Sequence, residues 1–419
     1  MRKILILEPT LVSITDVAEG AQHLGYEPVF FCSKKHYSGD AIRAIEKYKY
    51  FDVDASSVEQ MTAFIKKENI SDIAAVTTTA DRFLVSACLL AKELGVSGLD
   101  PALINLGDKA KVCSLIPEYS PSFLKFDIDH IPLEELLQMQ ETFGSVLFKP
   151  VQTAGARGMF TLDEISVPLL KEKMQKEAPQ ALIDGAWLAQ PFIAGRLISL
   201  EGFVVNSRVY FLGFSLREKV GKVEAINHFP ADRMIPIQLQ KQAKEAVSTL
   251  FHRANFKNGY FHTEFIMDGD SVYLIDTNAG RIAGAGIAIQ IALSYELLPS
   301  EIFAHVLDVS LFGNRSHSAH VYDSLPKKTL CINYGVKEGV KFDRVELPPG
   351  FDFIHLQLLN NGDFVPPLGG GIVDKIGNAI GYEENLPERV AKIKIHTSKG
   401  VLSPYYSSTD VSTHKVEIK

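Results

Sequence analysis

The sequence lacks the features that define several large protein classes. It has no apolar run of 18 or more residues, so no membrane-spanning helix is expected. Its four cysteines are widely spaced and form no C-x-x-C pair, which excludes a disulfide scaffold and favours a reduced, cytoplasmic location. The net charge of −7 provides no basic footprint for nucleic acid or a membrane surface. The 419 residues are enough for two or three domains.

The glycine fingerprint of dinucleotide binding is also absent. Glu8-Pro9-Thr10 follows the first apolar strand, where a G-x-G-x-x-G motif would stand in an NAD-dependent dehydrogenase. Residues 1–105 nevertheless alternate strands with helical patterns, which predicts βαβ units and a Rossmann-like parallel sheet. The predicted strands are 3–8, 27–32, 50–53 and 73–77, and the predicted helices are 15–24, 40–48, 57–68 and 81–94.

The rest of the chain has a different organisation. Residues 106–185 predict helices around a strand that ends at Lys149, whereas residues 186–330 are richer in strands and contain one long helix near 236–254. The tail from 329 combines strand-like runs with glycine and proline. We therefore expect an α/β protein in three parts, namely 1–105, 106–185 and 186–419.

The most informative segment is a buried strand that ends in a lysine and leads into a loop of small residues. The strand is Val146-Leu147-Phe148-Lys149-Pro150, and the loop contains Gly155, Arg157 and Gly158. Glycine lets the backbone approach a phosphate chain, and small side chains leave its N–H groups accessible. Lys149 would add a point charge, and Arg157 could touch a phosphate. The alternative is a snorkelling surface lysine before a plain β-hairpin with a solvent-exposed arginine.

A second segment places oxygen ligands on two adjacent strands. Glu264 precedes and Asp276 follows the short turn Asp268-Gly269-Asp270, so the two strands must pair antiparallel. Glu264 lies five residues before Gly269 and Asp276 seven after it, which predicts a two-residue offset between them. Together with Asn278 they offer the hard oxygen ligands that Mg²⁺ prefers. The two segments suggest an enzyme that binds Mg-ATP between strands; ordinary edge charges are the alternative.

In this order the segments resemble the ATP-grasp superfamily, in particular its carboxylate–amine ligases of the L-amino-acid (dipeptide) ligase type. The resemblance covers roughly residues 1–400 and is spread over several short motifs. The matching segments are Asp108-Lys109-Ala110-Lys111, Lys149-Pro150 with 154–158, Ala189-Gln190-Pro191-Phe192-Ile193-Ala194-Gly195, Ser199-Leu200-Glu201-Gly202, Gly259-Tyr260-Phe261-His262-Thr263-Glu264-Phe265, and 276–284.

The resemblance implies that ATP lies between two α+β subdomains and that the glycine-containing loop closes over its phosphates. It also implies the reaction. A carboxylate attacks the γ-phosphate to give an acylphosphate, and an amine then displaces phosphate and leaves ADP. The implied cofactors are ATP and Mg²⁺, for which Mn²⁺ could substitute. The implied partners are a small-molecule carboxylate and a small-molecule amine. The family also suggests that the protein is a homodimer.

The resemblance also assigns roles to individual residues. For the nucleotide it implies Lys111, with Lys109 as the competing register, and the segment Gln190, Phe192 and Ile193. Arg281 would stabilise the transferring phosphoryl group or hold the substrate carboxylate, and His262 would line the site. Candidates for the substrate are His228, Arg233 and Gly284. His228 and Arg233 lie in the segment 224–233, which resembles the family's E-x-G-H-x-x-P-A stretch, shortened by one residue and without its glycine; a polar surface loop is the alternative.

Some positions depart from the family pattern. Leu197 stands where a glutamate usually holds the ribose, and Pro191 stands where an acidic residue precedes the aromatic. Glu201 is a candidate substitute for that glutamate, or a carboxylate close to the cation. Asp276 replaces the usual glutamate, and the spacing from Asn278 to Arg281 is one residue longer than usual. Two other hypotheses therefore stay open: another acylphosphate-forming synthetase or carboxylase, and a nucleotide-binding protein without ligase turnover.

Overall fold

The computed structural model describes residues 1–10, 13–37, 39–151, 158–282, 284, 286–314, 322, 324–370 and 374–407. The chain divides into two compact units. The first unit comprises Met1–Leu212, Ile235–Gly284 and Ser300–His320, and the second comprises Gly213–Met234, Ala285–Pro299 and Val321–Lys419.

The first unit begins with a parallel sheet. Its strands run in the order β3-β2-β1-β4, and each pair is parallel, as the alternating pattern predicts. The apolar strands β1 and β2 are almost fully buried, which is typical of a parallel sheet covered on both faces. The elements are β1 (Lys3–Leu7), α1 (Ile14–His23), β2 (Glu27–Cys32), α2 (Gly39–Ile45), β3 (Lys49–Asp52), α3 (Val58–Lys67), β4 (Ile73–Thr78) and α4 (Leu84–Leu94).

A small antiparallel sheet follows, with the strand order β5-β8-β6-β7. Phe148 and Trp187 are fully buried in its core, together with Leu170 of a covering helix. The elements are α5 (Leu103–Leu106), α6 (Lys109–Leu115), β5 (Leu124–Phe126), α7 (Leu133–Phe143), β6 (Val146–Pro150), β7 (Phe160–Leu162), α8 (Val167–Glu177), α9 (Gln180–Ile183) and β8 (Trp187–Pro191).

The middle of the chain supplies long antiparallel strands. In the first unit they run in the order β13-β12-β9, and the helix α10 packs against β12 and β13. The elements are β9 (Arg196–Val205), β10 (Arg208–Val220), β11 (Val223–Phe229), α10 (Ile237–Arg253), β12 (Gly259–Asp268), β13 (Ser271–Ala279), α11 (Gly286–Ser294) and α12 (Pro299–Phe312). The strand β11 was not expected from the sequence, because Asn227 occupies a buried position and interrupts the apolar residues of its buried side.

The second unit contains an antiparallel sheet in which β10 lies beside β11, followed by β14, β18 and β16. A smaller sheet has the order β17-β15-β19-β20. The remaining elements are β14 (Thr329–Tyr334), β15 (Val340–Glu346), β16 (Ile354–Gln357), β17 (Phe364–Val365), β18 (Gly377–Tyr382), α13 (Leu386–Val390), β19 (Lys394–Thr397) and β20 (Gly400–Leu402).

Two further observations on the described residues concern membrane-spanning helices and the cysteines. No single helix there is long and apolar enough to cross a membrane, although α11 and α12 taken together pass the same test of length and composition. The four cysteines, Cys32, Cys88, Cys113 and Cys331, are free and buried.

Candidate active site

The site is built on the hairpin of β12 and β13. Gly269 begins its two-residue turn with a φ of +55°, a conformation that glycine adopts at no steric cost. Asp268 pairs with Ser271 and Phe265 with Leu274, but the register then shifts and Glu264 pairs with Asp276. Ile275 is the extra residue of this β-bulge. The two-residue turn accounts for one residue of the offset expected from the sequence and the bulge for the other, so the two carboxylate residues lie directly opposite each other.

One face of this sheet collects polar side chains from three strands. Side chains that alternate along a strand share a face, and directly paired residues do so across strands. His262 pairs with Glu201 on one side and Asn278 on the other, and Glu264 pairs with Ser199 and Asp276. The residues of this polar face are Ser199, Glu201, His262, Glu264, Asp276 and Asn278.

His262 connects two carboxylates of the polar face. Its Nδ1 lies 2.8 Å and 2.9 Å from the two carboxylate oxygens of Glu201, and its Nε2 lies 3.2 Å from Glu264 Oε1. Ser199 Oγ donates a 2.7 Å hydrogen bond to Glu201. Glu201 is only 1% exposed, and a carboxylate buried to that degree must receive hydrogen bonds. When both carboxylates are ionised, both ring nitrogens of His262 must donate a proton to them.

Lys149 is buried at the end of β6 and reaches the bulge. Its Nζ donates a 3.1 Å hydrogen bond to the carbonyl oxygen of Ile275. Burial lowers the pKa of the Lys149 ammonium, the carboxylate of Asp276 opposes this, and the nearby positive charge of Lys109 adds to the lowering. A partly desolvated ammonium group beside a pair of carboxylates is suited to bind an anion such as a phosphate.

Lys109, and not Lys111, meets the carboxylates. Lys109 Nζ lies 2.9 Å from Asp276 Oδ1, whereas Lys111 Nζ donates to Asn105 at the exposed side of the helix. The reason is the start of α6. Asp108 is its N-cap and accepts hydrogen bonds from the N–H groups of Ala110 and Lys111, so positions 109 and 111 point about 200° apart around the helix. These contacts favour the competing register, Lys109, and the nucleotide role of either lysine stays a prediction.

Arg281 contacts Asp81, which lies in a short turn between β4 and α4. Its guanidinium makes a two-pronged contact with Asp81, in which Nη2 lies 2.6 Å from Oδ2 and Nε contacts Oδ1. Its Nη1 donates to the carbonyl oxygen of Ile282 at 3.0 Å. An arginine fork matches a carboxylate in this geometry. The expected contact of Arg281 with a phosphoryl group or substrate carboxylate would therefore have to compete with Asp81.

The segment expected to contact the nucleotide lies at the end of β8. Gln190 is buried and its Nε2 lies 3.5 Å from Cys113 Sγ, while Phe192 is 48% exposed. The N–H of Phe192 already donates to the carbonyl oxygen of Ser145 at 2.9 Å, and Pro191 has no N–H. Among the described contacts this leaves the N–H of Ile193 as the backbone donor of the segment. Leu197 is buried in β9 and supplies no polar group for a ribose.

The glycine-containing loop is described only at its end. Gly155 and Arg157 lie outside the described residues. Gly158 has a φ of +74°, and a Cβ there would lie 3.1 Å from side-chain atoms of Ala178 and Pro150. A larger residue would be strained at this position, so glycine is required where the chain leaves the loop.

The polar face fits a magnesium ion that arrives with a nucleotide. Glu264 and Asp276 offer carboxylate oxygens and Asn278 an amide oxygen, and Asp276 Oδ1 also contacts Lys109 and the N–H of Thr277. Within the described ranges, no group of three or more His, Cys, Asp or Glu side chains could hold a metal by itself. Mg²⁺ takes several of its ligands from water and phosphate.

The substrate candidates are divided between the two units. Gly284 is exposed in the first unit, and Arg233 is exposed in a short turn of the second. His228 belongs to β11, where its Nε2 lies 2.8 Å from Glu218 and its Nδ1 3.7 Å from Glu383. Its neighbour Asn227 points to the other face of that strand and is buried.

Sequence reasoning missed several polar residues. Asp81, the partner of Arg281, is 200 positions away in sequence and no motif marks it. Asn227 could have been found, because the family pattern E-x-G-H-x-x-P-A fits Glu224 to Ala231 without any change in length and then places Asn227 at the histidine. Arg217, which lies opposite Asn227, carries no such signal.

Comparison with known proteins supports the fold. No family model and no curated protein matches the sequence. Among solved structures, an L-amino acid ligase from Bacillus licheniformis matches with a TM-score of 0.73 and 18% identity, over 94% of this chain and 98% of that chain. Phosphoribosylglycinamide synthetase from Anaerococcus prevotii matches with a TM-score of 0.70 and 16% identity, over 94% and 99%.

A third structure is the biotin carboxylase domain dimer of 2-oxoglutarate carboxylase from Hydrogenobacter thermophilus, in complex with MgADP, ADP and bicarbonate. It matches with a TM-score of 0.69 and 14% identity, over 96% of this chain and 92% of that chain. At these identities the matches establish architecture, which agrees with the parallel N-terminal sheet and the long antiparallel strands. The chain therefore has the ATP-grasp fold of these ligases and carboxylases.

Proposed function

We propose that the chain is an ATP-dependent ligase that joins the carboxylate of an amino acid to an amine. The observation that carries this proposal is the convergence of Lys149 and Lys109 on the polar face, where Glu264 and Asp276 are paired. Two ammonium groups and two carboxylates in one partly buried place suit a nucleotide whose phosphates are bridged by a divalent cation. The similarity to ligase and carboxylase structures supports the same class of reaction.

The residues would act by positioning and by neutralising charge. Lys149 and Lys109 would hold phosphate oxygens, and the small-residue loop would cover them. Glu264, Asp276 and Asn278 would hold Mg²⁺, which, when bound, withdraws charge from the transferring phosphoryl group. His262 would keep Glu264 oriented through its hydrogen bonds to Glu264 and Glu201. No residue of the polar face is assigned as a general base.

The reaction balances in two steps. An oxygen of the substrate carboxylate attacks the γ-phosphorus of ATP, and ADP leaves with the electrons of the broken P–O bond. The amine then attacks the carbonyl carbon of the acylphosphate, and phosphate leaves with the former carboxylate oxygen. The products are an amide, ADP and phosphate, and the amine loses one proton to solvent.

The test is the release of ADP and phosphate from Mg-ATP across a matrix of amino-acid pairs. The control is Glu264→Gln, which keeps the shape of the side chain and removes its charge. Release that requires both substrates and is lost in the variant would support the ligase. Release driven by an amine together with bicarbonate, in place of the amino-acid carboxylate, would instead identify a carboxylase-type reaction.

A second candidate is a nucleotide-binding protein without ligase turnover. Two observations favour it: Asp81 occupies the fork of Arg281, and Leu197 supplies no polar group to a ribose. This candidate predicts saturable ATP binding that depends on Lys149, with no release of ADP for any pair of substrates. An absence of ATP binding would contradict both candidates.

A further inference from the structure

The second unit contains a cavity of about 550 Å³ beside the tail that follows β20. Tyr405 of this tail exchanges two backbone hydrogen bonds with Gly335, at 2.9 Å and 3.0 Å, which join the tail to the segment before β15. The residues that line the cavity come from the two sides of this junction. Volumes of roughly 300–1,000 Å³ are typical of small-molecule sites. The cavity contains none of the residues of the polar face.

The floor of the cavity is apolar and buried. It is lined by Val336, Val340 and Tyr406, whose exposed fractions are 1%, 2% and 6% and which belong to an apolar core of the unit. Leu402 and Pro404 are partly buried and form its walls. A lining of this kind favours a ligand with an apolar body, because the ligand then loses apolar surface to the cavity and not to water.

The hydroxyl group of Tyr406 is the polar group of this floor. It makes no hydrogen bond in the described part of the chain, yet its oxygen is not among the unpartnered polar atoms that are fully enclosed there. Since Tyr406 lines the cavity, we infer that the hydroxyl opens into it. Burial raises the pKa of Tyr406, so the hydroxyl keeps its proton and can donate as well as accept. A ligand that displaces water from the floor must therefore offer this hydroxyl a hydrogen-bond partner.

The rim of the cavity carries one more positive than negative charge. Its charged residues are Lys337, Glu338 and Lys399, and all three are exposed. Lys399 Nζ lies 3.1 Å from Glu338 Oε2, so these two charges are paired. Lys337 Nζ lies 5.3 Å from the ring centroid of Tyr405, and within the described residues no carboxylate lies within 4 Å of it. Lys337 is therefore the cation available to an anionic ligand.

We propose that this cavity binds an aromatic acid that carries one carboxylate and a second, hydrogen-bonding group. The carboxylate pairs with the ammonium group of Lys337, and its single charge matches the single unpaired charge of the rim. The rings of Tyr405 and Tyr406 favour an aromatic body, and the second polar group meets the Tyr406 hydroxyl. The proposal does not depend on the ligase function proposed above, because the cavity contains none of the residues assigned to it.

The test uses the full chain without nucleotide or Mg²⁺. Three probes are titrated, namely para-hydroxyphenylacetate, phenylacetate and para-hydroxyphenylethanol, and binding is followed by saturation-transfer NMR. The second probe lacks the hydroxyl group and the third lacks the carboxylate. We expect saturable binding of para-hydroxyphenylacetate, with an affinity roughly fivefold higher than that of phenylacetate and roughly threefold higher than that of para-hydroxyphenylethanol.

Two variants assign these preferences to residues. Tyr406→Phe removes the hydroxyl and keeps the ring in the core, so the thermal unfolding transition should be retained and the two acids should bind with equal affinity. Lys337→Met should abolish the preference for the carboxylate. Lys392→Met, at an exposed lysine of the same unit paired with Glu388, is the matched control and should keep both preferences.

Three results would overturn the proposal. They are no saturable binding of para-hydroxyphenylacetate, an unchanged preference for its hydroxyl in Tyr406→Phe, and an unchanged preference for its carboxylate in Lys337→Met. Either unchanged preference would mean that the probe binds elsewhere on the chain. Glu264→Gln should bind the probes as the unmodified chain does, so a failure of the ligase function and a failure of this site give different results.

Discussion

Lys149 Nζ donates a hydrogen bond to the carbonyl oxygen of Ile275, the residue that is bulged out of β13. The same bulge brings Asp276 opposite Glu264. One irregularity of the hairpin therefore does two things: it aligns the carboxylates, and it turns a carbonyl group toward the buried lysine. β-bulges are frequent next to active sites because they re-aim side chains in this way.

Glu264 and Asp276 should determine the Mg²⁺ concentration that turnover requires. Glu264→Gln and Asp276→Asn each remove one charged oxygen ligand, so we expect nucleotide-dependent turnover to fall by about 10² or more and the half-saturating Mg²⁺ concentration to rise. Asp268→Asn, at an exposed end of the same strand, removes the same charge away from the pair and serves as the control. Equal Mg²⁺ dependence in all three variants would refute the assignment.

The two lysines of α6 offer a matched pair. Lys109→Met removes a cation 2.9 Å from Asp276, whereas Lys111→Met removes one bound to Asn105 on the exposed side of the helix. We expect ATP affinity, measured by calorimetry, to fall roughly tenfold or more for Lys109→Met and to change less than about twofold for Lys111→Met. The opposite ranking would restore Lys111 as the nucleotide residue.

The stability of the chain should depend on pH through Lys149. Its pKa is lowered from 10.5 in the folded protein, so the folded chain binds fewer protons than the unfolded chain between the lowered value and 10.5. The contribution of Lys149 to the free energy of unfolding therefore rises with pH in that window. The difference in unfolding free energy between the unmodified chain and Lys149→Met should rise with pH, measured by urea unfolding.

Lys176→Met, at an exposed lysine of α8, is the control for this measurement and should show no such trend. A difference that is flat or falls with pH for Lys149→Met would mean that Lys149 is not desolvated in the folded chain.

His262 should support the fold as well as the site. His262→Phe would leave the buried carboxylate of Glu201 with fewer donors, and we expect a loss of about 1–3 kcal/mol in the free energy of unfolding. Replacing both residues, as His262→Phe with Glu201→Leu, should recover much of this loss because no unpaired carboxylate remains. If the double variant is as unstable as the sum of the single variants, the two residues do not act as a pair.

The sequence predicted the parts of the fold that depend on local pattern. Strong apolar alternation and short turns were sufficient for β1 to β4 and for the pairing of β12 with β13. The fold assignment itself came from the order of motifs. The strand β11 was missed because Asn227 occupies a buried position and interrupts the apolar residues of its buried side.

The site was harder to predict where it depends on register or on distant contacts. The bulge at Ile275 has no mark in the sequence, and it changed the relation of Glu264 to Asp276. The choice between Lys109 and Lys111 depended on where α6 begins. The contact of Arg281 with Asp81 joins segments that only the tertiary structure brings together. The metal, nucleotide and substrate roles, the three-part domain division and the homodimer stay predictions.

The central claim is that ATP activates a carboxylate as an acylphosphate, and oxygen transfer tests it most directly. A substrate pair identified in the release assay is supplied with ¹⁸O in the carboxylate, and the phosphate product is analysed by mass spectrometry. We expect one ¹⁸O atom in each phosphate released by the unmodified chain, and loss of the labelled phosphate in the Glu264→Gln variant. Phosphate that carries oxygen from water instead would show that the chain hydrolyses ATP without forming the acylphosphate.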